Sequence, residues 1–446
     1  MVQKAYFDLV SKHTQKILEV ERYVWQHPES GFKEWNTSTY LAKIFEDAGY
    51  SLTYAGDIPG FYTDIDTGKP GPKILIMGEL DALVAPTHPE AWNGCAHACG
   101  HNAQCAALVG VALALKEPGA LDGLCGSIRL MAVPAEELIE IEYRNSLRDQ
   151  GIIHYLGGKV EFMHRGYMDG CDIAFMVHTT KSDNHVFACN QGSNGCMAKS
   201  ITYIGKASHA GGGPQYGINA LYAATMGLQG INSLRETFAD DNHIRVHPIM
   251  EANSNAVNII PAKATVSTYV RGATLESIVE ANRKVTRALA AGALALGAQV
   301  TVSDRPGYAP LNNCPQLMEV AKECMIAVAG EDKVNFTSRW GTGSTDMGDI
   351  SAVMPAVHPY AAGAEGTGHG DDYRIVDPVK ACVMSAQAQV LMAVELLKKD
   401  AARARHVIET FQPVYPSKEA YFEAVDQLMS DRSLVKYTET GAEITF

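Results

Sequence analysis

The sequence predicts an α/β protein: a mainly parallel-sheet domain with a smaller α+β domain inserted into it. Three observations carry this reading. Apolar, strand-like runs at 73–77, 127–133 and 172–177 alternate with helix-like segments, the pattern of a parallel sheet with crossover helices. Each run leads into residue types able to ligate a metal or move a proton: Gly78-Glu79-Leu80-Asp81, Pro134-Ala135-Glu136-Glu137, and His178. In open α/β sheets the functional site lies at the carboxyl ends of the strands. Between 191 and 305 the order becomes strand, helix, strand, strand, helix, strand, a ferredoxin-like βαββαβ unit. Residues 1–190 and 306–446 are therefore expected to form one discontinuous domain, and 191–305 an insert.

Length and composition agree. A chain of 446 residues with 46% hydrophobic and 20% charged residues is an ordinary globular protein too long for one core. A net charge of −13 repels phosphate backbones, and no basic run with interleaved aromatics offsets it, which argues against nucleic acid as a partner. No apolar run reaches the roughly 18 residues of a membrane span; the longest, 105–115 and 288–300, have a helical period. The first residues lack a signal-peptide apolar region, so the expected location is cytoplasmic with no membrane partner. The ten cysteines are scattered rather than framed, as befits buried free thiols.

Taken in order, 3–23 has helical periodicity. Glu29, Gly31, Phe32 and Glu34 then form a loop before a helix starting near Asn36-Thr37-Ser38, a good capping cluster. His27, before Pro28, reads as structural. Strands follow near 51–55 and 61–66, then the strong strand 73–77, the loop His97-Ala98-Cys99-Gly100-His101-Asn102 and an apolar helix 103–115. In the insert, strand 197–204 precedes helix 217–238, strands 243–251 and 263–271, an Ala-rich helix 275–296 and strand 299–303. Its edges are Gln191-Gly192-Ser193-Asn194-Gly195 and Asp304-Arg305-Pro306-Gly307. Helix 315–329, a Gly-rich stretch 340–349, strand 352–358, the loop 364–372 and helix 378–398 complete the larger domain. The tail 401–446 reads as one or two more of its helices.

The loop at 97–102 packs two imidazoles and a thiol into five residues beside a buried strand, which suggests a metal site. A two-metal hydrolytic centre needs about five ligands and one carboxylate left over as a base. Cys99, His101, Glu136, Glu137, His178 and His369 supply that number. Neighbours on a strand point to opposite faces; where the strand ends, one glutamate can bind metal while the other faces substrate. The pattern does not say which. Taken singly, the glutamate pair is compatible with an exposed acidic turn, His178 with a core histidine and His369 with a surface loop. Other chemistries lack their motifs: there is no Gly-x-Ser-x-Gly, Walker loop or His-Glu-x-x-His, and Ser433-x-x-Lys436 is an isolated tetrapeptide.

Glu79-Leu80-Asp81-Ala82-Leu83, the 97–102 loop, Pro134-Ala135-Glu136-Glu137 and His178 follow one another as a set. Gly205-Lys206-Ala207-Ser208-His209-Ala210, Asn258-Ile259-Ile260-Pro261 and His369 continue it. Together they resemble the successive motifs of the aminoacylase/carboxypeptidase family of dinuclear metallopeptidases (peptidase family twenty, clan MH), in its amidohydrolase branch. Gly343-Ser344-Thr345-Asp346-Met347-Gly348-Asp349-Ile350-Ser351 is closer still to aminobenzoyl-glutamate hydrolases and related dipeptidase-like proteins. The resemblance covers about 20 to 385.

It implies a phosphorylase/hydrolase-like catalytic domain of zinc-peptidase type, with the insert as a lid through which the protein forms a homodimer. It implies metal ligands at Cys99, His101, Glu137, His178 and His369, Glu136 as general base, and Asp81 orienting the site from behind the ligands. His97 becomes a supporting residue. His209 matches a lid histidine that reaches a partner subunit's site and polarises the scissile carbonyl; Asn258 and Arg271 match substrate-binding lid positions, Arg271 through a fork suited to carboxylate. Two divalent ions are implied: zinc suits the donor set, and manganese or cobalt is compatible.

The implied activity is cleavage of the amide bond of an N-acyl or N-aroyl amino acid by a metal-activated water. The alternatives are a cytosolic metallodipeptidase using the same centre and, as a minor one, a non-catalytic dimeric binding protein. Four features depart from the branch: Glu79 stands where it usually has Asp, Asn102 replaces the commoner Asp, the segment 138–150 after the glutamate pair is unusual, and so is the long tail.

Overall fold

The computed structural model describes residues 2–181, 183–252, 254 and 256–446, the side chains of 2–4 excepted. The chain forms two compact units. The first is built from Met1–Gly192, Asn312–Trp340 and Asp349–Lys418, the second from Ser193–Leu311, Gly341–Gly348 and Glu419–Phe446.

The first unit holds a six-stranded sheet in the order Thr53–Tyr54, Phe61–Asp66, Ser127–Val133, Lys73–Glu79, Ile173–Phe175, Ala356–Val357. The last four run parallel and the first two are antiparallel additions at one edge. The two central strands are buried along almost their whole length, which is why they read as unbroken apolar runs. They pair in register from Lys73↔Ser127 to Glu79↔Val133. Both chains therefore leave the sheet at one level, and the acids that follow emerge side by side. Helix His101–Leu115 is buried almost all round. It comes close enough to the strand that a Cβ on Gly78 would sit 3.2 Å from the Gln104 carbonyl oxygen.

A second sheet in this unit has Val334–Phe336, Phe187–Cys189, Tyr360–Glu365 and Arg374–Ile375 in that order, with His178–Lys181 also parallel to Tyr360–Glu365. This corrects the expectation that His178 closes a strand. The run 172–177 stops pairing at Phe175, and His178 opens the next strand, its N–H donating to the Pro359 carbonyl at 2.9 Å. A continuous apolar run does not reveal where its partner changes. The strand expected at 352–358 likewise shrinks to Ala356–Val357, because the turn after helix Met347–Ser351 takes up the residues before it.

Helix Ser385–Thr410 breaks at Lys398–Ala401, where three consecutive residues have positive φ. The stretch Val379–Thr410 is long and apolar enough by length and composition to cross a membrane, longer than the runs singled out from sequence. Its apolar window is 78% buried inside the protein. Val390, Leu391 and Leu396 belong to the core that also holds Leu108 and Val111, and that packing accounts for its composition.

The second unit is an antiparallel sheet in the order Arg245–Val246, Lys263–Gly272, Gly195–Ile204, Gln299–Tyr308, Ser430–Ser433, with Ile249–Ala252 also on Lys263–Gly272. Helices Ala220–Leu234 and Leu275–Leu296 cross so closely that a Cβ on Gly292 would overlap the backbone of Ala223 and Gly227. From Gly195 to Tyr308 the order is strand, helix, three strands, helix, strand: the single strand expected at 243–251 is split into Arg245–Val246 and Ile249–Ala252. Strand Gln299–Tyr308 runs on past the predicted end at 303, accommodated by a register shift opposite Cys196/Met197.

The tail corrects the sequence reading. Helix Lys418–Asp426 is there, but 430–446 is strand and loop, and Glu419–Phe446 belongs to the second unit. Ser430–Ser433 extends the sheet beside Gln299–Tyr308, and Leu434 and Val435 enter its core. Arg432 Nη2 donates to Asp304 Oδ2 at 2.7 Å, and Arg305 Nη2 donates to both carboxylate oxygens of Asp431 at 2.8 and 3.0 Å.

Candidate metal centre

The centre is assembled from loops leaving the central strands of the first unit. Gly100 has φ 84°, and a Cβ there would overlap the Thr179 hydroxyl and the Tyr373 hydroxyl. Only glycine lets the 97–102 loop close onto Thr179, whose hydroxyl donates to the Cys99 carbonyl at 3.2 Å. That contact puts Cys99 Sγ 3.5 Å from His178 Nε2. The other ring nitrogen of His178 meets the Thr179 carbonyl at 2.7 Å, which fixes the ring.

Asp81 ties the loops together. Its Oδ1 lies 3.2 Å from His101 Nδ1, which is also 2.8 Å from the Asp81 carbonyl, and its Oδ2 accepts from the Glu137 N–H at 2.8 Å. His101 is wholly buried and turns Nε2 toward Glu79 Oε2 at 3.2 Å and Glu136 Oε2 at 4.0 Å. Glu137 Oε1 lies 3.2 Å from His369 Nε2. His369 is exposed, with φ 65°, and its N–H donates to the Ala98 carbonyl at 2.9 Å.

Among the described residues three donor sets result: Cys99, His101 and His178; Cys99, Glu137 and His369; Glu79, His101 and Glu136, each with its ligand atoms within 4.8 Å of one another. Cys99 belongs to two of them and His101 to two. His101 Nε2 and Glu137 Oε1 are buried without a hydrogen-bond partner of good geometry. Buried polar atoms are almost always satisfied, so two orphans facing one cluster fit a cation. Thiolate, imidazole and carboxylate together suit a borderline-soft divalent metal.

The electrostatics are those of a largely buried, crowded site. Burial, then the Glu137 charge, pushes the Cys99 thiol well up. Burial works against the charged form of His101, but Glu79, Cys99 and Asp81 together outweigh it and raise this group. Burial also opposes ionisation of Glu137, yet His369 and His101 bring it down to about 2. His178 is lowered, first by burial, despite the Glu79 charge.

The family model for peptidase family M20/M25/M40 matches residues 61–395. The chain belongs to peptidase family M20/M25/M40. As an M20-family member it is a hydrolase of amide bonds. It is 25% identical to the Xaa-Arg dipeptidase of Mus musculus over 90% of each chain. It is 28% identical to one of the subunits of the p-aminobenzoyl-glutamate hydrolase of Escherichia coli, over 67% of this chain and 59% of that one. In fold it resembles a Bacillus subtilis dinuclear metal binding peptidase of the M20 family, with TM-score 0.64, 20% identity, and coverage of 88% of this chain and 99% of that one.

The cluster in the first unit thus brings together Asp81, Cys99, His101, Glu136, Glu137, His178 and His369. His209, Asn258 and Arg271 lie in the second unit. There His209 is exposed, its Nδ1 accepting from the N–H groups of Gly211 and Gly212 at 3.1 and 2.9 Å. Asn258 shares that loop pair, its carbonyl accepting from the Ala210 N–H at 2.8 Å. Arg271 is on strand Lys263–Gly272, over the Tyr269 ring at 5.6 Å.

Two residues beside the cluster, Lys159 and His358, have no signature in the sequence. Lys159 donates to Glu79, and neither side chain has any exposure. Burial disfavours the Glu79 charge, but Lys159, followed by His101, holds its carboxyl below the usual range. His358 stacks edge-on to His178 at 5.6 Å, and both its ring nitrogens are buried without a hydrogen-bond partner. Burial and the neighbouring His178 bring it down to about 3. His97 is brought down to about 3 in the same way, by burial and then His101. The Asn102 departure also has a local reason: its amide donates to Glu21 Oε1 at 2.8 Å, where an aspartate would set two carboxylates together.

Proposed function

We propose that this chain hydrolyses the amide bond of a small substrate bearing a free carboxylate, with two divalent cations held by Cys99, His101, Glu137, His178 and His369. The observation that carries the reading is the overlap of two donor sets at Cys99, with buried, unsatisfied atoms on His101 and Glu137. When bound, such ions would lower the pKa of a water and polarise a carbonyl.

Glu136 is then the base. It stands beside His101 without belonging to either donor set that contains Cys99. It takes the proton of the attacking water as the C–O bond forms, and delivers it to the amine nitrogen as the C–N bond breaks. Asp81 holds the His101 ring and the Glu137 backbone in place. His209 is assigned to the oxyanion, Asn258 and Arg271 to the substrate, with Arg271 on its carboxylate, and the second unit serves as lid and dimer contact. Zinc suits the donors, with manganese or cobalt compatible.

The substrate class is an N-acyl or N-aroyl amino acid, aminobenzoyl-glutamate-like. A dipeptidase reading is supported by the coverage of the Xaa-Arg dipeptidase relative, which spans 90% of both chains. Steady-state rates on a panel of N-acyl amino acids and dipeptides, with metal analysis and a chelator control, separate the two. Glu136→Gln should keep its metal while turnover falls about 10²- to 10⁴-fold; near-parental hydrolysis refutes the assignment. His209→Ala should slow turnover with metal content intact, and metal loss would make it a ligand instead. Cys99→Ala should lose metal and activity together.

A further inference from the structure

We propose that Arg144 is a positioning residue for Glu136 and Glu137: its guanidinium clamps the turn that follows strand Ser127–Val133 in the conformation that aims both carboxylates at the donor cluster. This rests on the roles given above to those two glutamates.

The turn does not hold itself. Ala135 has φ 56° and no exposure. Left-handed backbone is disfavoured for any residue with a Cβ and persists only where surroundings impose it. Four anchors impose it here. The Ala135 N–H donates to Glu34 Oε1 at 2.8 Å, and Glu34 is itself fully buried. The Ala135 carbonyl accepts from the Gly158 N–H at 3.1 Å, an approach that a Cβ on Gly158 would block by overlapping Pro134. The Glu137 N–H donates to Asp81 at 2.8 Å. Arg144 supplies the fourth.

Its side chain is completely buried. Nη2 donates to the Glu137 carbonyl, and Nη1 to the Leu156 carbonyl at 2.6 Å, with the Ala135 carbonyl at 3.4 Å. One planar fork thus spans the turn from Ala135 to Glu137 and ties it to Leu156, a geometry an ammonium cannot reproduce. Room for it is made by Gly31, where a Cβ would overlap Nη2, and by the Phe32 ring 5.5 Å below. Arg144 comes from helix Ile141–Asp149, inside the unusual segment 138–150. That segment therefore has a purpose: it delivers a cation to the backbone of the catalytic turn.

The test uses the metal-loaded full chain with Arg144→Met, Arg144→Lys, and Ala135→Gly in the Arg144→Met background. The readouts are kcat, KM, metal per chain and amide hydrogen exchange over 134–139. For Arg144→Met, kcat should fall about 10- to 100-fold, the scale of a misaligned catalytic group. KM and metal content should stay near parental, and exchange over the turn should rise. Ala135→Gly should recover about fivefold of the lost kcat, since glycine reaches positive φ without the Cβ penalty. Where Arg144→Met is not recovered as folded protein, Arg144→Lys carries the test, with its own Ala135→Gly partner. Parental kcat and exchange in the arginine variant overturn the proposal, and so does a loss that Ala135→Gly leaves untouched, which marks general destabilisation. If Glu136→Gln remains active while the turn still depends on Arg144 for protection, the base assignment falls and the clamp stands.

Discussion

Replacing Lys159 by methionine removes an ammonium and keeps most of the stem that fills its site. Neither partner of the Lys159–Glu79 pair has any side-chain exposure, so solvent cannot take over the charge left on Glu79. What remains around that carboxylate is the Gln104 amide at 2.8 Å and His101 Nε2 at 3.2 Å. Breaking a buried ion pair from one side costs about 3–5 kcal/mol. The remaining amide and imidazole offset part of this, so the expected loss is about 3 kcal/mol. Glu79→Gln in the same background removes the stranded charge, so the double variant should recover about 2 kcal/mol relative to additivity. The assay is native-state hydrogen exchange of the amides in strand Lys73–Glu79, which reports their opening free energy however the second unit unfolds. A loss below about 1 kcal/mol for Lys159→Met, or simple additivity in the double variant, refutes the claim that Lys159 holds Glu79 charged beside His101.

Three further outcomes follow from the geometry. Burial pushes the Glu21 carboxyl up to about 7 from 4.5, so its stabilisation is complete below the unfolded value and is lost as pH rises through the folded one. Glu21→Gln should therefore gain up to about 3 kcal/mol on the parent between about pH 5 and about pH 8, read by denaturation at both; a pH-independent difference refutes it. Gly100→Ala places a Cβ at φ 84° against Thr179 and Tyr373. It should cost about 2–4 kcal/mol and lower metal occupancy, and a parental melting temperature with full occupancy would contradict the packing described. Arg432→Ala leaves the buried Asp304 to Lys199 and to the Ser430 hydroxyl at 3.5 Å. It should cost about 1–2 kcal/mol and raise exchange along Gln299–Tyr308, whereas unchanged protection would mean the tail strand is not held by that pair.

Much of this was legible in the residues. A strand covered on both faces must be apolar throughout, so the first polar residues after it mark the carboxyl edge of the sheet. That rule located Glu79, Asp81, Glu136 and Glu137. The 97–102 loop stood out because two imidazoles and a thiol in five residues precede a helix too apolar to face water. The order of the second unit was readable because its helices are long and one is rich in alanine.

Other features depend on partners far away in the chain. Ser430–Ser433 is polar and short, and it becomes a strand only because the edge of Gln299–Tyr308 offers hydrogen bonds to it. His178 belongs to a sheet that the apolar run before it does not announce. Lys159 looks like any helix lysine until Glu79 faces it. Arg144 lies in a charged helix whose pattern suggests solvent, and it is buried only because three carbonyls converge on it.

The sequence by itself determined the alternation that makes a parallel sheet, the residue types at its carboxyl edge, and so the kind of chemistry available there. Those are local or periodic properties, written in neighbouring residues. Only the tertiary structure decided which buried charges face each other, how Asp81 and Arg144 hold the glutamate turn, and where the tail docks. Each of these is a pairing energy between distant segments, and such an energy exists only once the chain has brought its two halves together.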